Sequence, residues 1–278
     1  CGIAQQVLDL LPAWRRDTLC TRIGLSDDEI KLWADIRHKM FVPFHDDGII
    51  SQFEGYATLE ELDWDAYRAK YHNIQRLDRI LKAEGDTPNR YKLSKQADTL
   101  MLWYLLSEQE LAAVLTQLGY TYTPDMARKT IAYYLDRTSH GSTLSFLVHA
   151  AVLANYDLAQ SWEMLMTALH SDIDDIQGGA TKEGIHLGLM AGTVDVIQRR
   201  YLGMELQEST VHFRPKPVDQ LNGLSFTMLL WGTPITIELA RGKLTVSVAA
   251  GGTTRPIMIT VNDTMQQLRS GEYYSFDL

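Results

Sequence analysis

Cysteine is nearly absent. Cys1 and Cys20 are the only two in 278 residues, too few for a disulfide framework, so the fold has to be held by its apolar core. No stretch approaches the ~20 consecutive apolar residues needed to cross a bilayer as a helix. Basic residues are outnumbered, 26 against 35 acidic for a net charge of −9, and they are dispersed, which leaves no electrostatic footprint for a nucleic acid. The eight histidines include no His-Glu-x-x-His pair, so no metal and no cofactor is implied. An initiating methionine is also absent. Cys1-Gly2 is followed almost at once by an amphipathic run (Ile3, Val7, Leu8, Leu10, Leu11), the pattern of a helix cut part-way along rather than of a lipid anchor on a polar tether. A cytoplasmic location is expected.

What is there is an ordinary globular composition, 45% apolar and 22% charged, in a chain long enough for one large domain with a smaller companion. Up to about residue 206 the apolar spacing is helical. Ser26 with Glu29 three residues on opens one helix, and the pattern predicts others over 97–106, 108–118, 124–135, 144–155, 160–170 and 183–201. Short turns between them predict antiparallel neighbours. Two stretches break the pattern, 42–56 with its Asp46-Asp47-Gly48 turn and 83–91, and both read as long loops on a helical scaffold. After Gly203 the period becomes two. Strands are expected over 224–230, 235–239, 244–248 and 257–261, separated by turns at Arg241-Gly242, Gly251-Gly252 and Asn262-Asp263. The expected organisation is therefore a helical domain over 1–206 and a small antiparallel, sandwich-like β-domain over 207–278, with the seam near Gln207-Glu208-Ser209-Thr210.

Two segments could carry chemistry. Arg137 through Ser145 packs five hydroxyls, one Arg and His140 around Gly141 at the start of a helix, and donors at a helix N-terminus make an oxyanion cradle. The plainer reading is that Ser142 caps that helix and Ser145 closes its first turn. Asp175 through His186 is a second glycine-rich turn into a helix start, with His186 in the first turns near the positive end of the dipole. It can equally be a tight turn with a partly buried histidine. Lys95 and Gln96 open the helix that continues through Trp103 and offer several donors to sugar hydroxyls, although a lysine there also fits a solvated face. Trp33, Trp64, Trp103 and Trp162 could stack on a sugar ring, but at helical spacing they read first as core.

Taken in order, Phe53-Glu54-Gly55-Tyr56, Lys95-Gln96-Ala97-Asp98, the 137–145 segment, Asp175-Ile176-Gln177-Gly178-Gly179, Glu183 through Gly188 and Ala191-Gly192-Thr193 resemble the glycoside hydrolase family 65 disaccharide phosphorylases, the maltose, trehalose, kojibiose and nigerose phosphorylases. The resemblance covers nearly the whole chain. It implies the later helices of an (α/α)6-barrel catalytic domain followed by a C-terminal β-domain, with Lys95 and Gln96 binding the glucosyl unit. It implies a phosphate site lined by Ser139, His140, Gly141, Ser142, Thr143, Gly179 and His186. The family's general acid is a glutamate in an Asp-Glu-Tyr context, and no such run occurs in these 278 residues.

The implied reaction is inverting phosphorolysis of an α-linked glucose disaccharide to β-glucose 1-phosphate and a released sugar, with inorganic phosphate as co-substrate. Its partners would be those two small molecules, the N-terminal part of the same protein and, in a homodimer, a second copy. Phosphate is already anionic near neutral pH and needs no carboxylate to activate it, so an anion cradle in place of a second carboxylate is the mark of a phosphorylase. Two alternatives stay open: a hydrolase of the same fold, with Glu183 as its base, and a non-catalytic helical scaffold or carbohydrate-binding half-protein.

Overall fold

In the computed structural model, which describes all residues except 47, 208, 217, 222 and 252–254 and the side chains of 180 and 183, the chain forms two compact units, Cys1–Ser139 and His140–Leu278. Among the described residues no helix is long and apolar enough to cross a membrane. Asp47, Glu208 and Gly252, which fall in expected turns and at the expected seam, lie outside the described residues, as does the side chain of Glu183.

The first unit is helical: α1 (Gly2–Leu10), α2 (Ala13–Ile23), α3 (Asp27–Lys39), α4 (Trp64–Tyr71), α5 (Leu77–Ala83), α6 (Met101–Leu105), α7 (Glu108–Gln117) and α8 (Pro124–Asp136). Side-chain caps fix several of the starts. Ser26 accepts the Glu29 N–H, Ser107 and Glu110 form a reciprocal capping box, and Thr123 accepts from Met126 just ahead of Pro124 at the first position. Helix α3 also carries Asp27, Asp28 and Glu29 in its first turn and Arg37, His38 and Lys39 in its last, matching the macrodipole. Helix α1 packs on α3 and buries Leu8, while Ile3, Val7 and Leu10 are exposed.

The segment expected to be one long loop is partly ordered by pairing. Strands β1 (Phe44–His45) and β2 (Ile49–Ile50) form a small antiparallel hairpin that is pinned to α8. The Ile50 N–H donates to Thr130 Oγ1 at 3.2 Å and the Tyr134 hydroxyl donates to the Ile50 carbonyl at 3.0 Å. Trp103, on α6, is buried core as its spacing suggests.

The second unit begins with α9 (Thr143–Leu153), α10 (Leu158–His170) and α11 (Leu187–Val196), which pack on one another, and α11 ends in a π-turn over Ile197–Tyr201. Ten of the eleven residues of α9 are buried, so it is the central helix of this layer. Gly192 on α11 permits the close approach: a Cβ there would lie 2.1 Å from Leu147 Cδ2 on α9.

Among the described residues eight strands follow: β3 (Glu205–Gln207), β4 (Thr210–Phe213), β5 (Gly223–Leu230), β6 (Thr233–Ala240), β7 (Lys243–Val248), β8 (Ile257–Val261), β9 (Thr264–Leu268) and β10 (Tyr273–Asp277). They form two four-stranded sheets, β10-β7-β6-β5 and β3-β4-β8-β9. Alternate residues such as Ile235, Ile237, Leu244, Val246, Ile257 and Ile259 make the shared core. One pairing departs from the antiparallel expectation: β4 runs parallel to β8, with Val211 opposite Ile259.

Candidate functional site

Lys95 and Gln96 do not open a helix. They sit in a bend, and α6 starts only at Met101. The reason is local: the Gln96 side-chain amide and the Asp98 N–H turn the chain back on itself, Gln96 Nε2 reaching Asp98 Oδ1 at 3.0 Å and the Asp98 N–H reaching the Gln96 carbonyl at 2.9 Å. The bend leaves Lys95, Gln96 and Asp98 exposed on one short stretch. Gln52 joins them, donating to Asp98 Oδ2 at 2.9 Å and accepting from Ser94 Oγ at 2.8 Å. Lys95 Nζ lies 3.3 Å from Asp78 Oδ2, and Asp78 is also held by Arg76. These cations keep the Asp78 carboxyl below its ordinary pKa despite partial burial, which opposes them. The bend thus presents alternating amide and carboxylate groups, the donor and acceptor mixture that sugar hydroxyls take.

The same bend is stitched to the hydroxyl-rich segment. The Ser94 N–H donates to the Arg137 carbonyl at 2.8 Å and the Ser139 N–H donates to the Ser94 carbonyl at 2.9 Å. Arg137 itself is committed elsewhere. Its guanidinium forms a fork on Glu61 (3.2 and 3.3 Å) and lies 3.9 Å from the centre of the Tyr133 ring, so it is a structural clamp rather than an anion ligand. Ser139, buried, ends the first unit.

In the second unit His140 takes a left-handed backbone (φ 55°) that turns the chain toward α9. Its ring stacks on Phe146 at 4.5 Å, meets His149 edge-on at 4.6 Å, and its Nδ1 lies 3.0 Å from Ser145 Oγ. Burial, and then the neighbouring His149, push its pKa down to about 3, so His140 is neutral near pH 7 and offers a phosphate no charge. Gly141 is buried beside it. Ser142 is the N-cap of α9, yet its side chain makes no capping bond, and the Ser145 N–H donates to the Ser142 carbonyl at 3.0 Å. Among the described residues the Ser142 and Thr143 hydroxyls have no hydrogen-bond partner. By contrast Ser26, Asp63, Ser107, Thr123 and Asp157 all cap their helices through the side chain. The α9 start therefore combines the positive end of a buried helix with hydroxyls that no described residue engages.

The second glycine-rich turn is bound to the first segment by Gln177, whose amide donates to the His140 carbonyl at 3.4 Å. Its own donors are partly committed. Asp175 accepts from the Gly179 N–H at 2.7 Å through Oδ2 and from the Thr181 hydroxyl at 3.0 Å through Oδ1. Gly179, at φ 100°, thus gives the turn its shape, and its amide points at a carboxylate of the chain. His186 is not within the first turns of a helix but is the N-cap residue of α11; Gly184, at φ 124°, separates the short 3-10 turn Ala180–Glu183 from it. Asp172 fastens His186 twice, Oδ2 accepting the backbone N–H at 2.8 Å and Oδ1 facing ring Nδ1 at 2.5 Å. The His186 hydrogen bonds hold the Asp172 carboxyl below its ordinary pKa. The histidine side chain stays 36% exposed while the aspartate is 9% exposed.

Sequence reasoning missed Gln52, Asp78 and Asp172 as members of these clusters, because each partner lies at least fourteen residues away along the chain. Asp175 had a local signal, an aspartate three and four residues before a glycine pair, which is the spacing of a side chain that bonds its own turn.

Residues 2–195 match the glycosyl hydrolase family 65 central catalytic domain and residues 204–268 match the glycosyl hydrolase family 65 C-terminal domain. The chain is 47% identical over 268 residues, 96% of its length, to an uncharacterized glycosyl hydrolase of Mycobacterium tuberculosis. It is 37% identical over 246 residues, 87% of its length, to the trehalose 6-phosphate phosphorylase of Lactococcus lactis. Among solved structures, a kojibiose phosphorylase from human microbiome, described as putative, superposes with a TM-score of 0.70 at 18% identity over 94% of this chain. The chain spans 20%, 31% and 32% of the lengths of these three proteins.

Proposed function

Because the chain belongs to glycosyl hydrolase family 65, we propose that it supplies the glucosyl-binding and phosphate-binding residues of an inverting phosphorylase, one that converts an α-linked glucose disaccharide to β-glucose 1-phosphate and a released sugar. In that reaction a carboxylic acid protonates the glycosidic oxygen as its bond to the anomeric carbon breaks, and a phosphate oxygen forms the new bond from the opposite face. Lys95 and Gln96 hold the glucosyl unit. Ser142 and Thr143 at the start of α9, with His186, hold the phosphate. Residues 1–206 are the later helices of the barrel and 207–278 the β-domain. The general acid is a glutamate outside these 278 residues.

The observation that carries the reading is the uncapped start of α9, where a serine stands at the capping position and leaves its hydroxyl unused. A hydrolase would need a carboxylate at that place. Purified full-length protein incubated with glucose disaccharides should release glucose 1-phosphate only when phosphate is present. His186→Ala should raise the KM for phosphate about 10- to 150-fold, the worth of one charge-assisted hydrogen bond of roughly 1.5–3 kcal/mol, with much less effect on the disaccharide. Phosphate-independent release of free glucose would instead establish hydrolysis.

A second substrate reading has one observation in its favour. Identity to the trehalose 6-phosphate phosphorylase is 37%, against 27% to a trehalose phosphorylase and 24% to a kojibiose phosphorylase. A disaccharide that itself carries a phosphate is therefore included in the assay, and a higher kcat/KM for it than for the unphosphorylated sugar decides the substrate class.

A further inference from the structure

We propose that Asp172 is a positioning residue for the phosphate site, holding His186 by its backbone N–H and ring Nδ1 so that ring Nε2 is the end left to meet the incoming anion. This rests on the reading of His186 as a phosphate ligand and adds the group that makes it one. His186 stands at the N-cap of α11 where nothing in its own helix orients the ring. Asp172 lies fourteen residues earlier, just after α10 ends at His170, and grips both ends of the residue: the backbone N–H by Oδ2 at 2.8 Å and ring Nδ1 by Oδ1 at 2.5 Å.

Two consequences follow from that geometry. With Nδ1–H donated to a carboxylate, the proton on that nitrogen is fixed and Nε2 becomes the free end of the ring. The ring is 36% exposed and the carboxylate 9% exposed, so the pair leaves the imidazole open to an approaching phosphate and the carboxylate sheltered from it. The depressed pKa of Asp172 agrees with this pairing. Both bonds also anchor the end of the second glycine-rich turn, so a purely architectural role has to be separated by experiment.

The test is a double-variant comparison in the full-length protein, with inorganic phosphate and disaccharide varied separately. Asp172→Asn keeps an oxygen for the His186 N–H but removes the charge. It should raise the KM for phosphate about 10-fold and change the KM for disaccharide less than about twofold. In a His186→Ala background the same change should have no further effect on phosphate. Asp172→Glu, which keeps the charge, should recover part of the affinity, and it provides the same comparison should the amide variant fail to fold. Equal losses for both substrates, or an Asp172→Asn effect that persists without His186, would show that Asp172 is only architectural. If His186→Ala leaves the KM for phosphate unchanged, the phosphate reading itself fails.

Discussion

His149 is fully buried on the central helix, with ring Nδ1–H donated to the Ser145 carbonyl at 2.7 Å and Nε2 left with no hydrogen-bond partner among the described residues. Protonating Nε2 would put both a charge and an unpaired N–H in the core. Burial accordingly pushes the pKa down from 6.5 to about 4, against the opposing pull of the Ser145 carbonyl. The sign follows directly. Between pH 6.5 and 4 the unfolded chain binds the proton and the folded chain does not, so stability is full above about 6.5 and falls as pH drops toward 4. A shift of that size is worth about 3 kcal/mol at ~1.4 kcal/mol per unit, nearly all of it lost between pH 7 and 4.

His149→Asn keeps a donor for the Ser145 carbonyl and removes the titration. Its midpoint at pH 7 will be lower because the smaller side chain leaves a cavity, so the informative quantity is the slope with pH. Denaturant unfolding at half-unit steps from pH 7 to 4 should show the acid loss reduced by about 3 kcal/mol, a difference of roughly 6–12 °C in Tm for a unit of this size. His140, whose pKa burial pushes to about 3, titrates in contact with His149 and leaves a residual slope. An unchanged slope in the variant would mean that the buried imidazole is not the acid-sensitive group and that its neutrality in the core has been misjudged.

Two further outcomes are expected. Ser142→Ala should change stability by less than about 0.5 kcal/mol, because the hydroxyl makes no cap bond, whereas Ser107→Ala, which breaks a capping box, should cost about 0.5–2 kcal/mol; comparative unfolding of the two variants checks this, and Ser142→Ala should still raise the KM for phosphate. Gly192→Ala should destabilise by about 1–3 kcal/mol in the same assay, since its Cβ would overlap the buried Leu147 side chain.

The helices were legible where caps and period agreed. Ser26 with Glu29 placed the start of α3, and the expected helices 108–118 and 124–135 match α7 and α8 to within a residue. The Lys95–Asp98 stretch misled because its apolar spacing continues into Trp103, while the competing signal, an amide and a carboxylate two residues apart bonding each other, acts only once Gln52 and Ser94 are in place. Four strands, β5, β6, β7 and β8, carry clean alternation of apolar residues and were visible. Strands β3, β4, β9 and β10 were not, being short or polar like Thr264–Leu268, although β4, β9 and β10 each place one or two residues (Val211, Phe213, Leu268, Phe276) in the core. Of the site, the sequence showed which segments are rich in donors but not which donors are committed. Arg137 is the clearest case, since its partner Glu61 is 76 residues distant.

That distinction separates the two cradles. Both resemble anion sites in sequence, but a cradle binds an external anion only if no internal one already fills it. In the second, Asp175 accepts the Gly179 and Thr181 donors, so a phosphate there would have to displace a carboxylate and meet its charge. At the start of α9 the Ser142 and Thr143 hydroxyls and the helix end carry no such occupant among the described residues, and the nearest histidine, His140, is neutral. On the proposed function, a phosphate at that start would meet dipoles and hydroxyls, and any further ligand would have to come from another segment. His186, held by Asp172 at the beginning of α11, is the residue of the second segment that the proposed function assigns to the anion. On that proposal the second glycine-rich turn contributes through its last residue, while its glycines shape the turn, the Gly179 N–H being taken by Asp175.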